Sequence, residues 1–162
     1  MIISYTGHRP NPKLGGYKVP NPIYNYVTNE LRRILQELKP DKAISGMALG
    51  FDQYAAWVCV ELGIPFVAAV PFVGQEKAWP QSSQDEYHRL LALASEVVVV
   101  CEGGYAPYKM QVRNEYLVDN CDILVGCFDQ SPGGTYNCIE YARSKNKDIR
   151  IIDPRLYNAH KM

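Results

Sequence analysis

Several features that mark common classes of protein are missing from this sequence. The 17 basic and 17 acidic residues cancel, whereas proteins that coat nucleic acid usually carry a basic excess. No apolar run approaches the ~20 residues that crossing a bilayer requires. The first residues include no basic segment of the kind that begins a signal peptide. We therefore expect a cytoplasmic protein with no membrane association and with no nucleic acid among its partners.

Cysteine pairs with metal-binding spacing are also missing. The cysteines are odd in number and none form a C-x-x-C pair; they are Cys59, Cys101, Cys121, Cys127 and Cys138. Most lie inside apolar runs, as buried free thiols do. We expect reduced thiols in a reducing compartment, no metal site and no cofactor.

The length and composition are those of an ordinary globular protein. The 162 residues suit one domain with a sizeable core, so we expect residues 1–162 to form a single domain. Apolar residues make up 47% and charged residues 21% of the chain, which is a typical balance. The last residues, 158–162, are expected to be loose.

Short β-type runs alternate with amphipathic stretches along the chain. The strands are predicted at residues 2–5, 43–45, 66–70, 97–101, 123–128 and 149–152. Asn21-Pro22 predicts the cap and first position of a helix, and Ser83 with Glu86 predicts a capping box. The run 97–101 is apolar on both faces, which favours burial between helix layers. The order predicts an α/β, single Rossmann-like domain with a mostly parallel sheet and helices on both faces.

Ligands of open parallel sheets bind beyond the carboxyl ends of the strands, and the first strand is followed by Gly7, His8 and Arg9. The glycine lets the backbone turn tightly. Arg9 has a fork that matches a phosphate, and His8 can donate to a ligand or titrate near neutrality. A surface loop with a solvated arginine explains the same residues equally well.

The loop after the second strand contains small residues before a helix. Its candidate ligand contacts are Gly46, Met47, Ala48, Leu49 and Gly50. Small residues let phosphate oxygens approach backbone N–H groups at a helix N-terminus, where the partial charge is positive. The pattern is neither G-x-G-x-x-G nor a Walker A loop. Asp52 is either an acid favoured by the helix dipole or a hydrogen-bond partner for a ribose or an amine.

The loop after the fifth strand again offers glycines at a strand-to-helix turn, here Gly133 and Gly134. Thr135 either caps the following helix or binds phosphate. Arg113 and Asn114 in the preceding helix, and Glu140 in the last helix, are further candidates. Solvated helix residues explain each of these three side chains as well. Two glycine loops in one sheet favour a phosphate site.

The motifs Thr6-Gly7-His8-Arg9-Pro10, Gly46–Asp52 and Gly133-Gly134-Thr135, in this order, resemble the YpsA-like branch of the SLOG superfamily. The resemblance covers nearly the whole chain. The superfamily also includes DprA, the LOG phosphoribohydrolases and ligand-sensing domains of bacterial defence systems. The resemblance implies a Rossmann-like fold, binding of nucleotides or nucleotide-derived ligands, and self-association.

The LOG enzymes cleave the N-glycosidic bond of nucleoside 5′-monophosphates, and their signature is a helical arginine followed by P-G-G-x-G-T-x-x-E. Arg113 matches the arginine, and Pro132-Gly133-Gly134 matches the start of the second part. Without a gap, Glu140 falls on the catalytic glutamate. The chain departs from the signature at Tyr136-Asn137, which replace the Gly-Thr of the phosphate cradle.

Three functions are compatible with these patterns. The leading hypothesis is a homo-oligomeric protein that senses or sequesters a nucleotide-derived small molecule, such as an ADP-ribose or cyclic-nucleotide species. The alternative is a nucleoside 5′-monophosphate N-glycoside hydrolase, in which Glu140, Arg113 and Asp52 are catalytic. The third is a DprA-like binder of single-stranded DNA, against which we weigh the zero net charge and the lack of further DprA domains.

Overall fold

The computed structural model of the protein describes residues 1–161, and within them a six-stranded sheet is entirely parallel. The strands are β1 (Ile2–Gly7), β2 (Lys42–Ser45), β3 (Phe66–Val70), β4 (Glu96–Val99), β5 (Ile123–Cys127) and β6 (Asp148–Ile152). Their spatial order is β4-β3-β2-β1-β5-β6. The predicted Rossmann-like α/β fold is therefore confirmed.

Helices connect the strands on both faces of the sheet. They are α1 (Pro22–Leu38), α2 (Phe51–Leu62), α3 (Gln81–Leu93), α4 (Tyr108–Asp119) and α5 (Gly134–Ser144). A short 3-10 helix, Pro154–Lys161, replaces most of the expected loose end, and Met162 lies outside the described residues. None of the helices in residues 1–161 has the length and hydrophobicity that crossing a bilayer requires.

The alternation of side chains along β1 shows how the two layers are held. Ile3 and Tyr5 are fully buried in the cluster that α1, α2 and α3 cover. Ser4 points to the opposite layer, where its hydroxyl donates to the carbonyl oxygen of Leu117 in α4 at 2.7 Å. Because successive residues of a strand face opposite sides, one short apolar run anchors both helix layers.

The helix boundaries follow the predicted signals in some places and not in others. Asn21 caps α1, since its Oδ1 accepts from the Tyr24 N–H at 2.9 Å, and Pro22 occupies the first turn as expected. The predicted capping box of Ser83 is wrong, because α3 begins at Gln81 after Pro80 without a side-chain cap. Thr135 is not a cap either, since α5 begins at Gly134 with Gly133 as its N-cap.

The prediction that the fourth strand is buried between helix layers is wrong. β4 lies at an edge of the sheet and pairs only with β3 among the described strands. Val97 and Val99 are 46% and 44% exposed. A run of valines predicts a strand, but its place in the sheet depends on crossovers that local sequence does not encode.

Candidate ligand-binding site

A cavity of about 390 Å³ lies beyond the carboxyl ends of β1 and β5, and we call it the cationic cavity. The chain crosses from β1 to β2 on one side of the sheet and reaches β5 on the other, so this is the topological switch point at which ligands of such sheets bind. The residues that line it are Thr6, Gly7, His8, Arg9, Asn11, Lys13, Ala48, Asp52, Met110, Arg113, Asn114, Ser131, Pro132, Gly133, Gly134 and Thr135.

Arg9 and Arg113 both bring positive charge to the cationic cavity, one from an exposed side chain and the other from a buried one. Arg9 is exposed and forms no hydrogen bond or ion pair with the described residues. Arg113 is buried, and its Nη1 donates to the carbonyl oxygen of Gly46 at 2.6 Å while its Nε donates to Asn114 Oδ1 at 3.3 Å. The buried guanidinium is therefore fixed by the protein, whereas the exposed one is available to a ligand.

The N-terminus of α5 also faces the cationic cavity. Its N-cap, Gly133, makes no side-chain cap hydrogen bond, and both Gly133 and Gly134 are exposed. The first N–H groups of a helix have no partner within the helix, and the helix dipole adds partial positive charge there. Asn114 helps to hold this turn, because its Nδ2 donates to the carbonyl oxygen of Gly134 at 3.4 Å. The arrangement suits an anion.

Asp52 supplies a carboxyl group to the cationic cavity, and one of its two oxygens has no hydrogen-bond partner. Its Oδ2 accepts from the Ala48 N–H at 3.2 Å, but its buried Oδ1 has no partner. Burial raises the pKa of the Asp52 carboxyl, although the nearby Arg113 and the Ala48 N–H oppose that shift. Burial likewise lowers the pKa of Arg113, which Asp52 opposes. A buried carboxyl beside a buried guanidinium, at the edge of a cavity, is typical of functional sites.

Asp129 holds the loops after β1 and β5 together. Its carboxylate accepts from Lys13 Nζ at 2.5 Å and from the Ser131 N–H at 3.0 Å. Although burial raises the pKa of this carboxyl, those hydrogen bonds outweigh it and hold the pKa well below its ordinary value. The network fixes the loop that leads into the open turn of Gly133.

His8 is held in a neutral state beside Asp129. Its Nε2 accepts from the Asp129 N–H at 3.0 Å. Burial lowers the pKa of His8 despite the opposing effect of the Asp129 carboxylate. With Nε2 as the acceptor, the ring proton lies on Nδ1. Nε2 also lies 3.0 Å from Asp129 Oδ1. A protonated ring can donate from Nε2 to that carboxylate oxygen instead.

The structure brings most of the sequence-predicted site residues to the cationic cavity, but not all of them. Those that line it are Gly7, His8, Arg9, Ala48, Asp52, Arg113, Asn114, Gly133, Gly134 and Thr135. Met47 is fully buried in the core instead, and Gly46 packs against Arg113. Leu49 and Gly50 face a neighbouring cavity.

Glu140 does not line the cationic cavity. Its side chain is 43% exposed and forms an ion pair with Arg143, one turn further along α5.

Sequence reasoning missed Lys13 and Asp129 as a pair. They are 116 residues apart, so their contact depends on the parallel pairing of β1 with β5. A basic residue in the long loop after the first strand was the only local signal.

Comparison with known proteins finds relatives over most of the chain. The family model YpsA, described as the YspA SLOG family, matches residues 3–156. The uncharacterised SPbeta prophage-derived protein YoqJ of Bacillus subtilis (strain 168) is 35% identical over 144 residues, which cover 76% of this chain and 84% of that protein.

Solved structures share the fold at low sequence identity. DNA processing protein A (DprA) of Streptococcus pneumoniae is 15% identical with a TM-score of 0.66, over 98% of this chain and 54% of that one, so this chain spans about half of its length. DprA of Helicobacter pylori is 16% identical with a TM-score of 0.67, over 99% and 72% of the two chains. The molybdenum cofactor binding protein of Rippkaea orientalis is 14% identical with a TM-score of 0.59, over 99% and 81%.

The expectation that nucleic acid is not a partner, drawn from zero net charge, is wrong. The Helicobacter pylori neighbour is described for its single-stranded DNA binding mode, so this fold is compatible with nucleic acid. Net charge is a sum over the whole surface, whereas binding depends on local charge. In this chain Arg9, Lys13 and Arg113 are concentrated at one cavity.

Proposed function

Because the chain belongs to the YpsA-type SLOG family, we propose that its cationic cavity binds the phosphate group of a nucleotide-derived small molecule, which the protein senses or sequesters. The ligand is of the ADP-ribose or cyclic-nucleotide class. The observation that carries the proposal is the convergence of the unpaired Arg9, the fixed Arg113 and the uncapped N-terminus of α5 on one cavity. A fork-shaped cation and free helix N–H groups are the donors that phosphate oxygens prefer.

The fold of the neighbours is consistent with this proposal. One neighbour is named for binding the molybdenum cofactor, which is a small molecule. In this chain the cavity walls place donors on two sides, from the loop after β1 and from the first turn of α5. The carboxyl of Asp52, with its raised pKa and unpartnered Oδ1, supplies a group that can hydrogen-bond to a ribose hydroxyl.

Calorimetric titration with ADP-ribose, cyclic AMP, AMP and inorganic phosphate tests this function. We expect at least one nucleotide to bind, and Arg9→Ala to weaken that binding roughly tenfold, as the loss of a charge-assisted hydrogen bond does. Arg33→Ala is the matched control, because Arg33 is an exposed arginine of α1 that pairs with Glu30. Absence of nucleotide binding at high micromolar concentration, or equal losses in the two variants, would refute the proposal.

Asp52 favours a second function, hydrolysis of the N-glycosidic bond of nucleoside 5′-monophosphates. Asp52 lines the cavity with an unpartnered Oδ1, and burial shifts its pKa upward, which is the direction that a general acid for a leaving base requires. The resemblance to the LOG enzymes gives the catalytic role to Glu140, but that side chain lies outside the cavity and pairs with Arg143. In this chain the reaction would therefore depend on Asp52 and Arg113.

The two functions differ in their products. The protein is incubated with nucleoside monophosphates, and small molecules released after denaturation are identified by mass spectrometry. Free base that disappears in Asp52→Asn and persists in Glu140→Gln would establish hydrolysis. An intact nucleotide with no free base would leave binding as the function.

We also propose a cytoplasmic location and self-association. The five cysteines are all free thiols, four of them buried, which fits a reducing compartment. The exposed valines of the edge strand β4 offer apolar surface to a second copy. Light scattering during size-exclusion chromatography distinguishes a monomer from a homo-oligomer.

A further inference from the structure

A second cavity, of about 460 Å³, adjoins the cationic cavity and has a different chemistry. Four aromatic side chains form much of its wall: Tyr17, Tyr24, Tyr54 and Trp57. We call it the aromatic cavity. It has no lysine or arginine among its lining residues, so it is suited to a flat apolar ring and not to a phosphate.

Tyr17 is the aromatic side chain of this cavity that is most open to a ligand. Tyr24 and Tyr54 meet edge to face, with ring centroids 4.8 Å apart and planes at 82°, so the edge of one ring covers one face of the other. Tyr17 is 56% exposed, which is high for a tyrosine that lines a cavity. Aromatic side chains stack on nucleobases because every base has a flat π-face.

Polar groups also line the aromatic cavity. Ser83 and Glu86 reach it from the first turns of α3, and Gln53 from α2. The Gln53 Nε2 already donates to the carbonyl oxygen of Met47 at 3.2 Å. Glu86 pairs with Arg89 through its Oε2. Its Oε1 and the Ser83 hydroxyl oxygen can accept hydrogen bonds from the amino and ring N–H groups of a base. A cavity lined by both aromatic rings and acceptors matches a nucleobase better than a purely apolar ligand.

The two cavities share a wall. Arg9 and Ala48 line the cationic cavity, while the residues that directly follow them in sequence, Pro10 and Leu49, line the aromatic one. The wall is closed by the Phe51 N–H, which donates to the carbonyl oxygen of His8 at 3.1 Å. A molecule whose phosphate lies beside Arg9 would therefore have to cross the outer surface of the Arg9-Pro10 segment to place its other end in the aromatic cavity.

We propose that the aromatic cavity holds the nucleobase of the molecule whose phosphate occupies the cationic cavity. The inference rests on the proposed function for the position of the phosphate, but the base site stands on its own residues. It makes the ligand a nucleotide with a ring that stacks on Tyr17, and it assigns this chain's selectivity among bases to Ser83 and Glu86.

Fluorescence of Trp57 reports directly on the aromatic cavity. The chain has two tryptophans, and Trp79→Phe leaves Trp57 as the only one; Trp79 itself packs edge to face on Tyr87. The four nucleosides, adenosine, guanosine, cytidine and uridine, are titrated first, and their 5′-monophosphates second. We expect a saturable change in Trp57 emission with at least one nucleoside and tighter binding of its monophosphate.

Tyr17→Ala tests the stacking role in that protein. We expect nucleoside affinity to fall roughly tenfold, the equivalent of the ~1.4 kcal/mol typical of one stacked base. Tyr105→Ala is the matched control, since Tyr105 is 72% exposed and does not line the aromatic cavity. Both positions are exposed, so neither change should prevent folding.

The outcomes separate this inference from the proposed function. A nucleoside response that depends on Tyr17 supports the base site. It does so even when the 5′-monophosphate binds no more tightly than the nucleoside and the proposed function fails. Monophosphate binding seen by calorimetry without any Trp57 response, and unchanged in Tyr17→Ala, overturns the base site and leaves the proposed function standing. Failure of every nucleoside and monophosphate to bind overturns the base site, and the titrations with ADP-ribose and cyclic AMP then decide the proposed function separately.

Discussion

The loop after β2 and the loop after β5 each contain two glycines, but the surroundings of those glycines differ. A Cβ on Gly46 would lie 2.5 Å from Nη1 of the buried Arg113. A Cβ on Gly50, whose φ is +98°, would lie 2.3 Å from the carbonyl oxygen of His8. A Cβ on Gly133 or Gly134 would meet nothing within 4 Å.

Glycine therefore has a different role in each of these two loops. In the first loop, glycine lets protein groups approach closely, and the space beside Gly46 is filled by the guanidinium that lines the cationic cavity. In the second loop, glycine leaves the backbone N–H groups of α5 uncovered toward the cavity. The glycine pattern predicts phosphate contacts in both loops, whereas the geometry makes the first loop a support and the second a candidate contact surface.

The largest effect is expected from Gly46→Ala. The added methyl group would displace a guanidinium that is buried and hydrogen-bonded to the carbonyl oxygen of the same residue. Overpacking of this kind costs roughly 1–3 kcal/mol, so we expect the free energy of unfolding in urea to fall by about 2 kcal/mol. Nucleotide affinity should fall as well, because Arg113 moves.

The comparison between loops would break if Gly46→Ala unfolded with the midpoint and slope of the unsubstituted protein. That result would mean that Arg113 can move at no cost and is not fixed by the first loop. Circular dichroism of both proteins before titration confirms that the comparison is between folded states.

A smaller effect is expected from Asp129→Asn, which removes the charge that holds the second loop. Because hydrogen bonds from Lys13 and Ser131 hold the pKa of Asp129 below its ordinary value, its carboxylate stabilises the fold above the pKa of the unfolded chain. That stability is lost as pH falls through the folded pKa. We expect a loss of about 1 kcal/mol at pH 7 that shrinks progressively below about pH 4.

Urea unfolding of Asp129→Asn at several pH values checks this expectation. Asp148→Asn is the control, since Asp148 is 55% exposed and lies 3.7 Å from Arg150, where an ion pair contributes little. A loss that is independent of pH would show that the substitution acts through shape and not through the charge of Asp129.

Much of the fold could be predicted because its signals are local. Asn21-Pro22 defines the start of α1, and Gly63, with φ of +73°, ends α2. The place of β4 could not be predicted, because four valines in a row fit either a central or an edge strand. The order of strands is set by which helices cross which face, and that is a property of the whole chain.

The candidate site was predictable to the extent that it lies at strand ends. Arg9 and Gly133 follow β1 and β5 directly, and parallel pairing brings those ends together. Glu140 was assigned by its spacing to the position of a catalytic glutamate, and in the structure its side chain pairs with Arg143 and does not line the cavity. The only local signal for the pair of Lys13 and Asp129 is a basic residue in the loop after β1, because the contact forms only when two loops meet.

The smallest effect on stability, and the sharpest test of the comparison, is expected from Gly134→Ala. The added methyl group enters open space at the first residue of α5, where alanine favours the helix. We expect the free energy of unfolding to change by less than ~0.5 kcal/mol. Nucleotide affinity should nevertheless fall by roughly tenfold, since the methyl group covers an N–H group that a phosphate would approach. Urea unfolding and calorimetric titration of the same preparation measure the two quantities. A loss of nucleotide affinity with unchanged stability would identify the loop after β5 as a contact surface. A loss of stability as large as that of Gly46→Ala would mean that both loops are packed supports. Phosphate recognition would then depend on Arg9 alone.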